Sequence, residues 1–81
     1  MTITQLQYFL EVCQCGSVSR AAELQHVSQP AVSNAIKTLE DECESLLFWR
    51  DNRSLTLTDR GEEFLVEAKG LLHHYERVSE M

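Results

Sequence analysis

The chain has 81 residues, 43% of them apolar and 25% charged, with a formal net charge of −6. That length fits one small domain, and that apolar share belongs to a folded chain, not a disordered tail. No run reaches the roughly 18 to 20 apolar residues of a membrane span and no charged segment leads into an apolar one, which sets membrane and secreted classes aside and leaves a cytoplasmic protein.

Thr2 followed by Gln5 is a capping-box pattern that opens a first helix. Leu6, Phe9, Leu10 and Cys13 recur at helical spacing as one apolar stripe, and Gly16 is the expected C-terminal stop. Ser17 caps a short second helix carrying Ala21, Ala22 and Leu24, which fades at His26 and Val27. Ser28 caps a third helix, about 29–43, where Pro30 is tolerated because first-turn N–H groups have no intrahelical partner. Val32, Ile36, Leu39 and Cys43 share its inner face. Pro30, Ser33, Asn34 and Lys37 fall opposite, on a face without an acid until Asp41.

Leu46-Leu47-Phe48-Trp49 is a short apolar run, Asp51-Asn52-Arg53-Ser54 is rich in turn formers, and Leu55-Thr56-Leu57-Thr58 alternates. Together they read as a small hairpin, a wing over about 46–57, with Trp49 partly buried. Thr58 or Asp59 caps a last helix, Asp59 forming a capping-box pair with Glu62. In that helix Phe64, Ala68, Leu71, Tyr75 and Val78 step by four and three, a heptad seam that Leu65 and Leu72 widen. Part of this seam packs on the domain; residues 71–78 run beyond what so small a core can cover.

The acid is unevenly placed. Residues 1–39 are balanced, Glu40, Asp41, Glu42 and Glu44 form one block, Arg50, Arg53 and Arg60 outnumber Asp51 and Asp59, and residues 61–81 are again acidic. The block is read as a solvated stretch, so the middle of the chain can present a positive face despite the overall charge. Cys13, Cys15 and Cys43 are an odd set without zinc spacing, and His73 and His74 lie far along the chain. They read as reduced thiols that fill space, with no metal site and no cofactor. No nucleophile–base pair, phosphate loop or paired-carboxylate arrangement has the setting an enzyme needs, so no catalytic residue is assigned.

Helix, short helix, three-residue turn, helix, hairpin, long helix is the order of a winged helix-turn-helix, a mainly α fold. Leu6-Gln7-Tyr8-Phe9, Gly16-Ser17, Ala21-Ala22, Ser28-Gln29-Pro30-Ala31-Val32-Ser33, Ile36, Leu39-Glu40, Leu47-Phe48, Arg50, Leu57-Thr58 and Gly61 stand in order and in register. In these residues the chain resembles the DNA-binding domain of the LysR-type transcriptional regulators, over residues 3 to about 72 and on into the helix that follows. Four positions depart from that pattern: Gln25 where Leu is usual, Cys43-Glu44 where Leu-Gly is usual, and Asn34 where a basic or longer polar residue is common. Without Gly, Glu44 is expected to strain or reshape the turn out of the third helix.

The resemblance implies a DNA-binding head at 1–58 and a linker helix at 59–81. The third helix then enters the major groove of double-stranded DNA, and the wing meets phosphates or the minor groove. Gln29 can pair bidentately with adenine, and Ser28 and Ser33 can bond phosphates, Ser28 also serving as cap. Pro30 and Ala31 either touch a thymine methyl or are only small helix-start residues. Asn34 either reads a base, directly or through water, or is solvated. Lys37 is the best phosphate or guanine ligand on that helix. Arg53, at the wing tip, reaches the minor groove or clamps phosphate. Arg50 divides between phosphate and an internal pair with Glu40. The last helix pairs antiparallel with its twin through Phe64, Ala68, Leu71, Leu72, Tyr75 and Val78, which implies a homodimer on a pseudo-palindromic site. A small-molecule effector would be sensed by a further C-terminal domain, absent from these 81 residues. The rival reading is a winged-helix interaction or dimerisation module that binds no DNA.

Overall fold

The structure is a computed structural model that describes residues 1–51 and 55–81. Its elements are α1 (Ile3–Cys15), α2 (Val18–Gln25), α3 (Gln29–Cys43), β1 (Phe48–Arg50), β2 (Leu55–Leu57) and α4 (Asp59–Ser79). The strands pair antiparallel, Phe48 opposite Leu57, Trp49 opposite Thr56 and Arg50 opposite Leu55. This is the winged helix-turn-helix expected from the order of elements.

Local chemistry sets the helix boundaries. Thr2 Oγ1 accepts from the Gln5 amide at 3.1 Å, and Gln5 Oε1 accepts from the Thr2 amide at 2.9 Å, a closed capping box. Gly16 ends α1 in the left-handed region at φ 71°. Ser17 and Ser28 accept from the amides of Arg20 (3.1 Å) and Ala31 (3.3 Å) and so start α2 and α3. His26, at φ 59°, ends α2 and leaves three residues before α3.

Thr58, not Asp59, caps α4. Its hydroxyl accepts from the Gly61 amide at 2.9 Å and donates to the Leu46 carbonyl at 2.7 Å, while its own amide donates to Leu47 O at 3.0 Å. One residue thus ties the start of α4 to the chain entering the wing. Gly61 completes the junction, because a Cβ there would collide with the Leu47 carbonyl.

The core is a single cluster. Leu6, Phe9 and Val12 of α1 meet Ala21 and Ala22 of α2, Val32, Ile36 and Leu39 of α3, Leu47 and Phe48 at the wing, and Ala68 and Leu72 of α4. The expected α1 stripe is therefore rotated slightly: Val12 is fully buried, and Leu10 and Cys13 lie at its edge. Phe9 is the hub. Its ring centroid is 5.4 Å from that of Phe48 and 5.0 Å from that of Phe64, the latter edge-on.

The seam on α4 divides. Ala68 and Leu72 are 3% and 6% exposed, and the partly buried Phe64 packs against the core, so these three are engaged within the chain. Leu71, Tyr75 and Val78 remain exposed. The cause is geometric: α4 has 21 residues, about 31 Å of helix, and the head covers one side of it only as far as Leu72. The principal extents, 44 × 27 × 19 Å, record the overhang.

Two further expectations are corrected. Trp49 is 56% exposed, because alternation in β1 turns Phe48 inward and its neighbour outward. Glu40 does not belong to a solvated acidic stretch. It is buried, and Oε2 accepts from the amides of Leu47 (2.9 Å) and Phe48 (3.3 Å).

Candidate nucleic-acid interface

The outer face of α3 is open over its first three turns. Ser28, Gln29, Pro30, Ser33, Asn34 and Lys37 are exposed and Ala31 is half-buried, while Val32, Ala35, Ile36 and Leu39 carry the packing on the other side. The first turn of α3 bears no acidic side chain of its own, so the partial positive charge of its N-terminal end is not offset from within the helix. The structure thus brings together on one surface seven of the residues singled out from the sequence.

Gln29 stands where three elements converge. It lines a crevice with Gly16, Ser17 and Ser19 at the start of α2 and with Asp51 and Leu55 at the base of the wing. Ser17 and Ser19 face the same space as Gln29, and their hydroxyls are 3.0 Å apart. Sequence reasoning assigned Ser17 only a capping role and passed over Ser19. The signal available was the pair of hydroxyls in the first turn of a helix that precedes the reading helix.

Among the described residues, Lys37 and Arg50 near this face are each paired with an acid. Lys37 Nζ lies 3.8 Å from Asp41 Oδ2, both side chains well exposed, which makes the pair weak. Arg50 Nη2 lies 3.6 Å from Glu40 Oε1, and 54% of the Arg50 side chain remains exposed. Glu40 therefore bridges α3 to the wing with one oxygen on two backbone amides and the other beside Arg50. The internal pair foreseen for Arg50 is present, and the guanidinium still opens to solvent. Arg53 lies outside the described residues.

Among the described residues no group of three or more His, Cys, Asp or Glu side chains could hold a metal ion, and no helix is long and apolar enough to cross a membrane. Burial pushes the Cys13 thiol up to about 11, against the pull of Lys69 and with a smaller push from Cys15, which keeps it protonated near neutral pH. Cys15 donates to the Ser17 carbonyl at 3.3 Å.

Residues 3–62 match the family described as "Bacterial regulatory helix-turn-helix protein, lysR family". The HTH-type transcriptional regulator YvbU of Bacillus subtilis (strain 168) is 40% identical over 82 residues, which takes in all of this chain and 28% of that protein. The chain thus spans about a quarter of the length of the curated relatives it matches. Among solved structures, the DNA-binding domain of CbnR in complex with DNA superimposes with a TM-score of 0.93 at 34% identity, covering 99% of this chain and 92% of that one. The complex of the BenM DNA-binding domain with catB site 1 DNA gives 0.94 at 31% identity, covering 100% and 91%.

Proposed function

The chain belongs to the lysR family of bacterial regulatory helix-turn-helix proteins, and from that premise we propose that it is the sequence-reading head of a transcriptional regulator. It acts by binding double-stranded DNA. The observation that carries this reading is the α3 face from Ser28 to Lys37, exposed, free of acid and capped at its start. The solved DNA complexes of the CbnR and BenM domains support it by likeness of fold.

In this reading α3 lies in the major groove with its N-terminal residues toward base edges. Gln29 and Asn34 offer amides that can pair with adenine, and Lys37 offers a cation for guanine or phosphate. Ser28 and Ser33 hold phosphate oxygens and set the register, joined by Ser17 and Ser19 at the neighbouring helix start. Pro30 and Ala31 stay small so that the backbone can approach. Arg50 of the wing faces the flanking backbone, and Arg53 is assigned there from the sequence alone. Residues 1–58 form the head and residues 59–81 the linker helix.

Two heads are joined through α4. Leu71, Tyr75 and Val78 form an exposed apolar stripe on the part of α4 that the head does not cover. An antiparallel pairing of two such helices buries it and places the heads on a two-fold axis, which calls for a pseudo-palindromic site.

Two measurements test this function. Anisotropy of a labelled random-sequence duplex, titrated at several salt concentrations, should show affinity falling steeply with salt, by about 0.9 in log K per unit log salt for each phosphate engaged. A folded dimer that binds no duplex at low salt would instead make the chain an interaction module. Leu71→Asp should give a folded monomer by analytical ultracentrifugation, and a dimer that survives would move the interface off this stripe.

A further inference from the structure

Pro30, Ser33, Asn34, Lys37 and Asp41 share one sector of α3, because each residue advances the helix by about 100°. Read toward the C-terminus, this face passes from neutral to positive to negative within about 16 Å. Its single cation, Lys37, has Nζ 3.8 Å from Asp41 Oδ2. The two side chains also open onto one crevice, which Glu44 and Arg50 line as well. Glu40 borders the same crevice, but its carboxylate is held by the Leu47 and Phe48 amides and by Arg50. Asp41 and Glu44 are therefore the exposed acids beside Lys37, and Asp41 is the one that reaches it.

A phosphate that takes Lys37 sits beside the Asp41 carboxylate, shares the cation with it and is repelled by it. We propose that Asp41 is a built-in competitor for Lys37 that holds down the sequence-independent part of DNA affinity. This rests on the DNA-binding reading above and assigns to Asp41 a selectivity role within it. Binding to random sequence is almost wholly electrostatic, so neutralising the cation on the reading face weakens it directly. The amides of Gln29 and Asn34 carry no charge, and their discrimination between bases is left intact. An acidic chain can then scan DNA without resting on every stretch of it.

The test uses the 81-residue chain, a labelled random-sequence duplex and anisotropy between roughly 50 and 200 mM salt. Asp41→Asn, Lys37→Ala and the double variant are compared with the parent. Asp41→Asn keeps the shape of an exposed side chain and removes a negative charge from the C-terminal end of a helix, so it retains the fold. It should bind about fivefold tighter at the lowest salt, with a salt slope steeper by up to about 1. In the Lys37→Ala background the same change should give no gain. A gain of equal size in both backgrounds overturns the proposal, because Asp41 would then act only as part of the overall charge. Binding by the parent with no response to Asp41→Asn also overturns it and leaves the DNA-binding reading standing. Four folded proteins that all fail to bind at low salt would remove both.

Discussion

The two ends of α3 follow opposite electrostatic rules. The first end is capped by a neutral hydroxyl, bears no acid, and leaves its outer face to small and amide side chains. The last turn carries Glu40, Asp41 and Glu42, with Glu44 at the cap and no basic residue, where the helix dipole is already negative. One acid of that group, Glu40, is withdrawn into the protein and ties α3 to the wing. The difference shows how a chain of net charge −6 keeps a face fit for DNA. Net charge governs approach over long distances, while contact is decided by the sign of the face that arrives.

The contrast can be broken most severely at Glu40. Glu40→Ala leaves the Leu47 and Phe48 amides without their acceptor and Arg50 without its partner, and should cost about 2–4 kcal/mol in urea unfolding. Glu40→Gln keeps an acceptor for the amides and should cost clearly less. If both variants unfold together with the parent, the acid is not a tie. At the other end, Gln29→Ala should lose about 1–3 kcal/mol at a selected site and little on random duplex. Equal losses on both would make Gln29 a positioning contact only.

Smaller effects sharpen the same comparison. Glu44 closes α3 at φ 53°, in the left-handed region, and adds a carboxylate to the negative end of the helix. Glu44→Gly should therefore stabilise the domain by about 1 kcal/mol, read as a raised urea midpoint at unchanged m. A lowered midpoint would mean that the glutamate makes contacts which outweigh its backbone strain. Ser28→Ala should cost about 0.5–1 kcal/mol of stability through loss of the hydroxyl that accepts from Ala31.

The helix starts were legible because capping is a matter of three or four adjacent residues. Thr2 with Gln5, Ser17, Ser28 and the Gly16 stop all appear in the structure at the positions read from the sequence. The left-handed Glu44 was visible too, since a non-glycine residue stands where the family's helix usually ends in glycine. The reading face of α3 followed from one period of 3.6 residues. Its neighbours in the crevice did not, because Ser19, Asp51 and Leu55 reach Gln29 only through the packing of α2 and the wing against α3. Arg50 was left between two roles for the same reason.

By itself, then, the sequence determined the order of the elements, their caps, the hairpin and the polar face of α3, all of which depend on neighbours close along the chain. Only the tertiary structure decided which amphipathic surface is covered. Glu40 reads as one more acid in a charged block until the Leu47 and Phe48 amides come to it across a turn. Trp49 reads as partly buried until the strand pairing points it outward. The α4 seam reads as continuous until Thr58 and Gly61 fix the helix against the Leu46 and Leu47 carbonyls. That junction sets α4 over Phe9, so Phe64, Ala68 and Leu72 fall inside while Leu71, Tyr75 and Val78 stay in water. Periodicity gives a side chain its direction from its own helix axis, but what lies in that direction is set by contacts between residues far apart in the chain.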